Sequence, residues 1–162
     1  MQTAICPGSF DPLTLGHLDV ISRAAGMFEH VVVLVVANVN KKCMFTLAER
    51  AEMAREATRD LPNVTVDTWD GLLVDYATRY ENPVVVRGLR AVTDFEYEFM
   101  MALTNNKLNP NMEMVFLASN EKYMYLSSST VKEVFTYGGD VSRFIPPTVN
   151  EAMRKKAKGR ND

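Results

Sequence analysis

Hydrophobic positions along the chain fall into two alternating kinds of segment. Five short apolar runs, Thr3–Cys6, Val31–Val36, Val64–Thr68, Val84–Arg87 and Met114–Ala118, predict β-strands. The run Val31-Val32-Val33-Leu34-Val35-Val36 has no polar alternation, which suits a strand covered on both faces, as in a parallel sheet. Between these runs the apolar spacing becomes helical. Leu18, Ile21, Ala25 and Phe28 recur on one face after the first strand. Thr46-Leu47-Ala48-Glu49 has capping-box spacing and predicts a helix through Thr58. Further helices are expected over Leu72–Tyr80, over Ala91–Leu108 with Phe95, Phe99, Ala102 and Leu103 on one face, and over Thr148–Lys158 after Pro146-Pro147. Thr130-Val131-Lys132-Glu133 repeats the capping-box spacing and predicts the start of another helix.

Strands alternating with helices over short connections specify an α/β fold: a doubly wound, Rossmann-like, five-stranded parallel sheet with helices on both faces and right-handed crossovers. Neither an internal repeat nor a low-complexity linker divides residues 1–162, so one domain is expected, ending in a helix and basic tail over residues 148–162. Ligands of such sheets bind beyond the carboxyl ends of the strands, at the switch point. The residues just after the strands therefore carry the chemistry. They are Ser9, Phe10 and His17; Asn38, Asn40, Lys41 and Lys42; Gly71, Leu72 and Leu73; Arg87-Gly88-Leu89-Arg90; and Ser119 through Ser129.

Composition restricts the partners. Net charge is −2, so the whole molecule does not attract nucleic acid, and a site for anions must be local. No segment approaches the roughly 20 apolar residues of a membrane span, and the N-terminus lacks a basic region before an apolar core. Cys6 and Cys43 have neither disulfide-framework nor zinc-like spacing, and Cys6 reads as a small buried side chain. A reduced, cytoplasmic protein acting on small molecules, without nucleic acid or membrane, is the expectation.

The tetrad Thr14-Leu15-Gly16-His17 sits where the first helix begins. Unpaired N–H groups and the positive end of a helix dipole make such a place a site for phosphate, and a histidine there hydrogen-bonds phosphoryl oxygens. One histidine, two lysines and two arginines on the same rim resemble a polyphosphate clamp, which neutralises charge that accumulates during phosphoryl or nucleotidyl transfer. The chain has no G-x-x-x-x-G-K-[ST] loop, no G-x-G-x-x-G fingerprint, no G-x-S-x-G elbow and no metal-ligand cluster. Such a site positions and stabilises; it does not attack.

Pro7-Gly8-Ser9-Phe10-Asp11-Pro12, Thr14-Leu15-Gly16-His17, Lys41, Arg87-Gly88-Leu89-Arg90, Asp94-Phe95-Glu96-Tyr97-Glu98 and Ser127-Ser128-Ser129-Thr130-Val131-Lys132-Glu133 together resemble the bacterial phosphopantetheine adenylyltransferases, over nearly the whole chain. The resemblance implies direct in-line attack of 4′-phosphopantetheine on the α-phosphorus of ATP, giving dephospho-coenzyme A and pyrophosphate without a covalent enzyme intermediate. It implies that His17 stabilises the transition state, with Lys41 and Arg90 near the developing charge. Ser9, Phe10, His17, Gly88, Leu89, Arg90, Glu98, Tyr123, Met124, Tyr125, Leu126, Ser127, Ser128 and Ser129 then hold ATP. Ser9, Lys41, Leu73 and Arg87 hold phosphopantetheine. Mg2+ would accompany the triphosphate, coenzyme A would act as a feedback ligand, and the chain would assemble as a homohexamer. Ser9 stands where many relatives carry threonine, and Cys6, Leu15, Gly71, Tyr123 and Tyr125 also depart from the commoner residues.

Each feature has a plainer reading. His17 is a helix cap in that reading, and Lys41-Lys42 an exposed loop pair. His30 reads as a strand-edge residue. Arg87 and Arg90 are candidate ion-pair partners of Asp94 or Glu98, with Arg90 and Asp94 at i,i+4 spacing. Ser127–Ser129 serve as cap chemistry, which is compatible with phosphate binding. The Phe95/Phe99 stripe and most of the ten methionines are expected in the core or at subunit contacts. Two other functions remain on the same scaffold: an adenylyl- or cytidylyltransferase using nicotinamide mononucleotide or glycerol phosphate, and a non-catalytic nucleotide-binding regulator.

Overall fold

The computed structural model describes residues 2–37 and 42–158. A five-stranded parallel sheet has the order β3-β2-β1-β4-β5, built from β1 (Thr3–Gly8), β2 (His30–Val36), β3 (Val64–Trp69), β4 (Val84–Leu89) and β5 (Glu113–Ala118). The helices are α1 (Leu15–Met27), α2 (Leu47–Thr58), α3 (Leu73–Ala77), α4 (Val92–Leu108), α5 (Ser128–Thr136) and α6 (Pro147–Lys158), with a 3-10 turn at Glu121–Tyr123. The chain winds outward from β1 to β3 and returns to β4, so the switch point lies between β1 and β4.

Alternate residues of the central strands enter two separate cores, as strands covered on both faces require. Ala4, Cys6, Val31, Val33, Val35, Val84 and Val86 pack beneath Ile21 and Ala24 of α1, Ala51 and Ala54 of α2, Val131 of α5 and Met153 of α6. Ile5, Val32, Leu34 and Val85 pack on the opposite face against Val74, Tyr76 and Ala77 of α3.

The two strands at the switch point diverge toward their carboxyl ends. β1 pairs with β2 along its length, from Thr3↔His30 to Gly8↔Val35. With β4 it pairs only at Ala4↔Val84 and Ile5↔Val85. Pro7 is tolerated in this central strand because of that opening. Its carbonyl meets Arg87 on the β4 side at 2.7 Å, and its missing N–H would face the same side, where no ladder continues.

Four boundaries depart by two residues or more from the pattern of the sequence. β1 and β4 run to Gly8 and Leu89, two residues beyond the apolar runs. α3 stops at Ala77, where Arg79 N–H and Tyr80 N–H bond three residues back and Thr78 Oγ1 donates to Asp75 O at 2.7 Å. α5 begins at Ser128 rather than after Thr130: Ser127 is extended and its Oγ accepts from Thr130 N–H at 3.1 Å, so the first serine of the run is the cap. α4 does not bury its aromatic stripe. Phe95 and Phe99 are each 45% exposed and stack with centroids 5.5 Å apart, while the buried side chains of this helix include the polar Glu98 and Asn105.

Candidate active site

At the mouth of the β1–β4 opening, α1 begins with Thr14 as N-cap and His17 as its third residue. Thr14 Oγ1 accepts from His17 N–H at 3.3 Å, and Thr14 N–H donates to His17 Nδ1 at 3.0 Å. The histidine thus takes the place that glutamate usually holds in a capping box. Because Nδ1 is an acceptor, the ring proton sits on Nε2, whose N–H is then the available donor. Burial, reinforced by the nearby Arg87 and Arg90 guanidinium groups, lowers the His17 pKa to about 4, so the ring is neutral at physiological pH. Phe10 packs edge-on against the imidazole, centroids 5.2 Å apart.

Phe10 has φ 47°, a left-handed conformation uncommon for a bulky residue, and follows the strand that ends at Gly8. A Cβ on Gly8 would lie 2.8 Å from the Phe10 ring, so glycine is required for the chain to fold back here. The ring belongs to the core, and only the main chain of Phe10 is left to face a ligand. Asp11 fixes the next position: its buried carboxylate accepts from Met44 N–H (2.8 Å), Phe45 N–H (2.9 Å) and Lys132 Nζ (2.9 Å). Ser128 Oγ donates to Pro12 O at 2.8 Å, tying the start of α5 to the same loop.

Two arginines lie across the opening, and both are held by α4. Arg87 donates Nε and Nη2 to the carboxylate of Glu98 and Nη1 to Pro7 O. Glu98 is only 7% exposed, so its charge is matched by a fork of hydrogen bonds rather than by water. Arg90 donates Nε to Asp94 at 3.1 Å and Nη1 to Leu126 O at 2.7 Å. The ion-pair and ligand readings of these arginines are therefore not exclusive, because the carboxylates orient the guanidinium groups at the rim. Gly88 passes α1 so closely that a Cβ would lie 2.8 Å from Val20.

Along the third side, Tyr123 ends the 3-10 turn, Met124 and Tyr125 are exposed, and Leu126 is buried. Ser127 caps α5, Ser128 holds Pro12, and Ser129 is exposed at the helix N-terminus. Beyond β3, Trp69 Nε1 donates to Leu72 O at 2.8 Å, and a Cβ on Gly71 would approach that indole to 3.0 Å. Leu73 is half-buried at the start of α3. Ser9, its carbonyl held by Arg50 at 2.7 Å, completes the first loop. Lys42 is exposed. Asn38, Asn40 and Lys41 lie outside the described residues.

Sequence reasoning missed Asp11, Lys132 and Arg50. Asp11 stood inside a recognised motif, but its partner Lys132 is distant in sequence. Among the described residues no cluster of three or more His, Cys, Asp or Glu side chains is placed to hold a metal ion. None of the described helices is long and apolar enough to cross a membrane. A groove of about 650 Å³ between α2 and α6, lined in part by Phe45, Met53 and Ala152, includes none of the residues named above as ligand-binding.

Comparison with known proteins agrees with this geometry. The cytidylyltransferase-like family model matches residues 5–134. The chain is similar in fold to the crystal structure of a Vibrio parahaemolyticus protein described as a nicotinate-nucleotide adenylyltransferase. That match has a TM-score of 0.66 at 18% identity and covers 94% of this chain and 99% of the other. This chain is 51% identical, over 98% of its length and 99% of the relative's, to the phosphopantetheine adenylyltransferase of Caldanaerobacter subterraneus subsp. tengcongensis. With that identity over both full lengths and with the site motifs in order around one switch point, the chain belongs to the phosphopantetheine adenylyltransferase family of cytidylyltransferase-like proteins.

Proposed function

We propose that the rim between β1 and β4 binds ATP and 4′-phosphopantetheine and transfers the adenylyl group from the first to the second. The products are pyrophosphate and dephospho-coenzyme A. The observation that carries this reading is the imidazole of His17, neutral and fixed with its Nε2 proton available, next to two oriented guanidinium groups. In an in-line displacement the acceptor phosphate is already anionic at neutral pH, so no general base is needed. An acceptor phosphate oxygen forms the new bond to the α-phosphorus as the bond to the β-phosphate oxygen breaks, and pyrophosphate leaves. Negative charge on the equatorial oxygens is what a fixed N–H and nearby cations stabilise.

In this reading His17 donates Nε2–H to an α-phosphoryl oxygen, and Arg90 with Lys41 lies near the developing charge. Arg87, Lys41, Ser9 and Leu73 take the phosphopantetheine. The main chain of Phe10, Ser9, Gly88, Leu89, Arg90 and the Tyr123–Ser129 segment take the nucleotide, with Ser129 at the exposed helix end suited to the β- and γ-phosphates. Glu98 acts here by holding Arg87. The carboxylates Asp11, Asp94 and Glu98 are already matched by cations or N–H groups, so ATP enters as its magnesium complex and Mg2+ arrives with the substrate.

The exposed apolar residues of α4 fit assembly with further copies of the chain, and the family resemblance supports a homohexamer. Coenzyme A shares the pantetheine arm of the product and is the expected feedback ligand, in the cytoplasm.

Pyrophosphate release from magnesium ATP tests the reading, with 4′-phosphopantetheine, nicotinamide mononucleotide and glycerol phosphate offered as separate acceptors. Turnover with 4′-phosphopantetheine alone is expected. Release with either other acceptor at a higher kcat/KM, or with none, overturns it.

A further inference from the structure

Arg50 is a charged residue in the second turn of α2, yet it is only 4% exposed. It belongs to none of the ion pairs among the described residues. Its Nη1 donates to two backbone carbonyls, Ser9 O at 2.7 Å and Val36 O at 3.0 Å, and its Nε has no hydrogen-bond partner among the described residues. A buried guanidinium matched by carbonyls alone is costly to keep charged, so a purely structural role favours an apolar side chain of similar length.

The position of the two carbonyls shows what the charge does. The last register pair between β1 and β2 is Gly8↔Val35; Ser9 follows the end of β1 and Val36 is the last residue of β2. Arg50 thus continues the ladder for one step after the two backbones stop pairing with each other. Beyond it, the segment after β1 enters the loop that carries Phe10 and Asp11 and leads to His17 in α1, and the segment after β2 runs toward Lys41 in sequence. The left-handed φ of Phe10 persists only where neighbouring contacts over-determine it. Arg50 on the Ser9 side and Asp11, bonded to the N–H groups just before α2, are two such contacts.

Building on the adenylyl-transfer reading, we infer that Arg50 is a positioning residue for the reaction. It sets the direction in which the β1 and β2 ends leave the sheet, and through Ser9 it aligns the acceptor phosphate with the α-phosphorus. Misplacement by about 1 Å costs roughly 100-fold in rate. Lysine retains the charge but places its nitrogen one bond short of Nη1, so it reaches the two carbonyls only if the strand ends shift toward it.

The test measures steady-state kinetics of Arg50→Lys and Arg50→Met beside the wild type, each alone and with Ser9→Ala, together with thermal unfolding. Arg50→Lys should lower kcat about 10-fold, leave the KM for ATP within about 3-fold and unfold within a few degrees of the wild type. Arg50→Met should lower kcat further. The loss caused by Arg50→Lys should shrink in the Ser9→Ala background, because the two substitutions damage one alignment. Wild-type kcat in Arg50→Lys, or the same fold-loss in both backgrounds, overturns the inference. So does a loss fully accounted for by the unfolded fraction. An inactive wild type instead overturns the adenylyl-transfer reading.

Discussion

Thr14 N–H donates to His17 Nδ1 at 3.0 Å, and this one bond decides which proton the histidine carries. The same backbone amide is an orphan donor of the α1 N-terminus, so capping the helix and fixing the tautomer are a single event. A helix that starts correctly leaves Nε2–H as the donor of the ring, because Nδ1 is taken by Thr14 N–H and lies 3.1 Å from Thr14 Oγ1 as well.

His17 should therefore titrate far below an ordinary histidine. Its pKa is about 4, against 6.5 for the free side chain, because burial and the two arginines disfavour the imidazolium. Imidazole nitrogen NMR of the ligand-free protein should show the Nε2–H tautomer through neutral pH and protonation only near pH 4. A midpoint near 6.5 would refute the assignment. The same shift has a sign for stability. Between about pH 6.5 and 4 the unfolded chain binds a proton that the native His17 refuses, so native stability falls as pH drops through that window. His17→Asn should remove this contribution and flatten the pH dependence of the melting temperature over that range. In turnover, His17→Ala, which removes the donor outright, should cost about 100- to 1,000-fold in kcat, with ATP affinity largely kept.

Glu98 provides a second separation. Its carboxylate takes Nε and Nη2 of Arg87, and the pair is half-hidden from water. Glu98→Gln keeps the shape and removes the charge that orients Arg87. If Glu98 acts by holding Arg87, the KM for 4′-phosphopantetheine should rise about 10-fold, as for a loss of roughly 1.4 kcal/mol of binding, while the KM for ATP changes little. A rise confined to ATP would make Glu98 a direct nucleotide contact instead.

The two thiols should differ sharply in reactivity. Cys6 is buried in β1, and burial pushes its pKa up to about 12 even though Arg87 opposes the shift. Cys43 is partly exposed just before the Met44 and Phe45 amides that hold Asp11. A thiol-exchange reagent at pH 8 should modify one cysteine quickly in the native protein and the second only on unfolding. Two fast-reacting thiols would contradict the placement of Cys6.

What could be read from the sequence follows the range of the interactions involved. The central strand β2 was legible because a strand buried on both faces has to be an unbroken apolar run, as Val31–Val36 is. The edge strands β3 and β5 were legible as short β-branched and apolar runs, although they are only partly buried. The switch-point residues were legible because strand ends gather ligands in this architecture. The extension of β1 through Pro7 was not, since a proline reads as a strand end until one knows that β4 has diverged beside it. Arg50 was hidden for a different reason. α2 reads Leu-Ala-Glu-Arg-Ala-Glu-Met-Ala-Arg-Glu, and nothing in that pattern distinguishes a buried arginine from its exposed neighbours Glu52 and Arg55. The Asp11–Lys132 contact was equally invisible, because it joins a loop and a helix distant in sequence.

α4 reverses the usual rule for a helix on a sheet: it buries Glu98 and Asn105 and exposes Phe95, Phe99, Met100, Leu103 and Leu108. An apolar stripe of this length is uncommon on an isolated soluble chain, and in the proposed assembly it is the surface that another copy covers. The buried Glu98 on the same helix orients Arg87, so the proposed assembly surface and the site share one element. Phe99→Glu places a charge in the middle of the stripe and leaves Glu98 untouched. It should shift the wild-type oligomer to smaller species in sedimentation velocity without unfolding the chain, as judged by circular dichroism. Because α4 holds Arg87 and Arg90, the smaller species should also have lower kcat/KM. An unchanged sedimentation coefficient for a folded Phe99→Glu protein would remove α4 as the assembly surface.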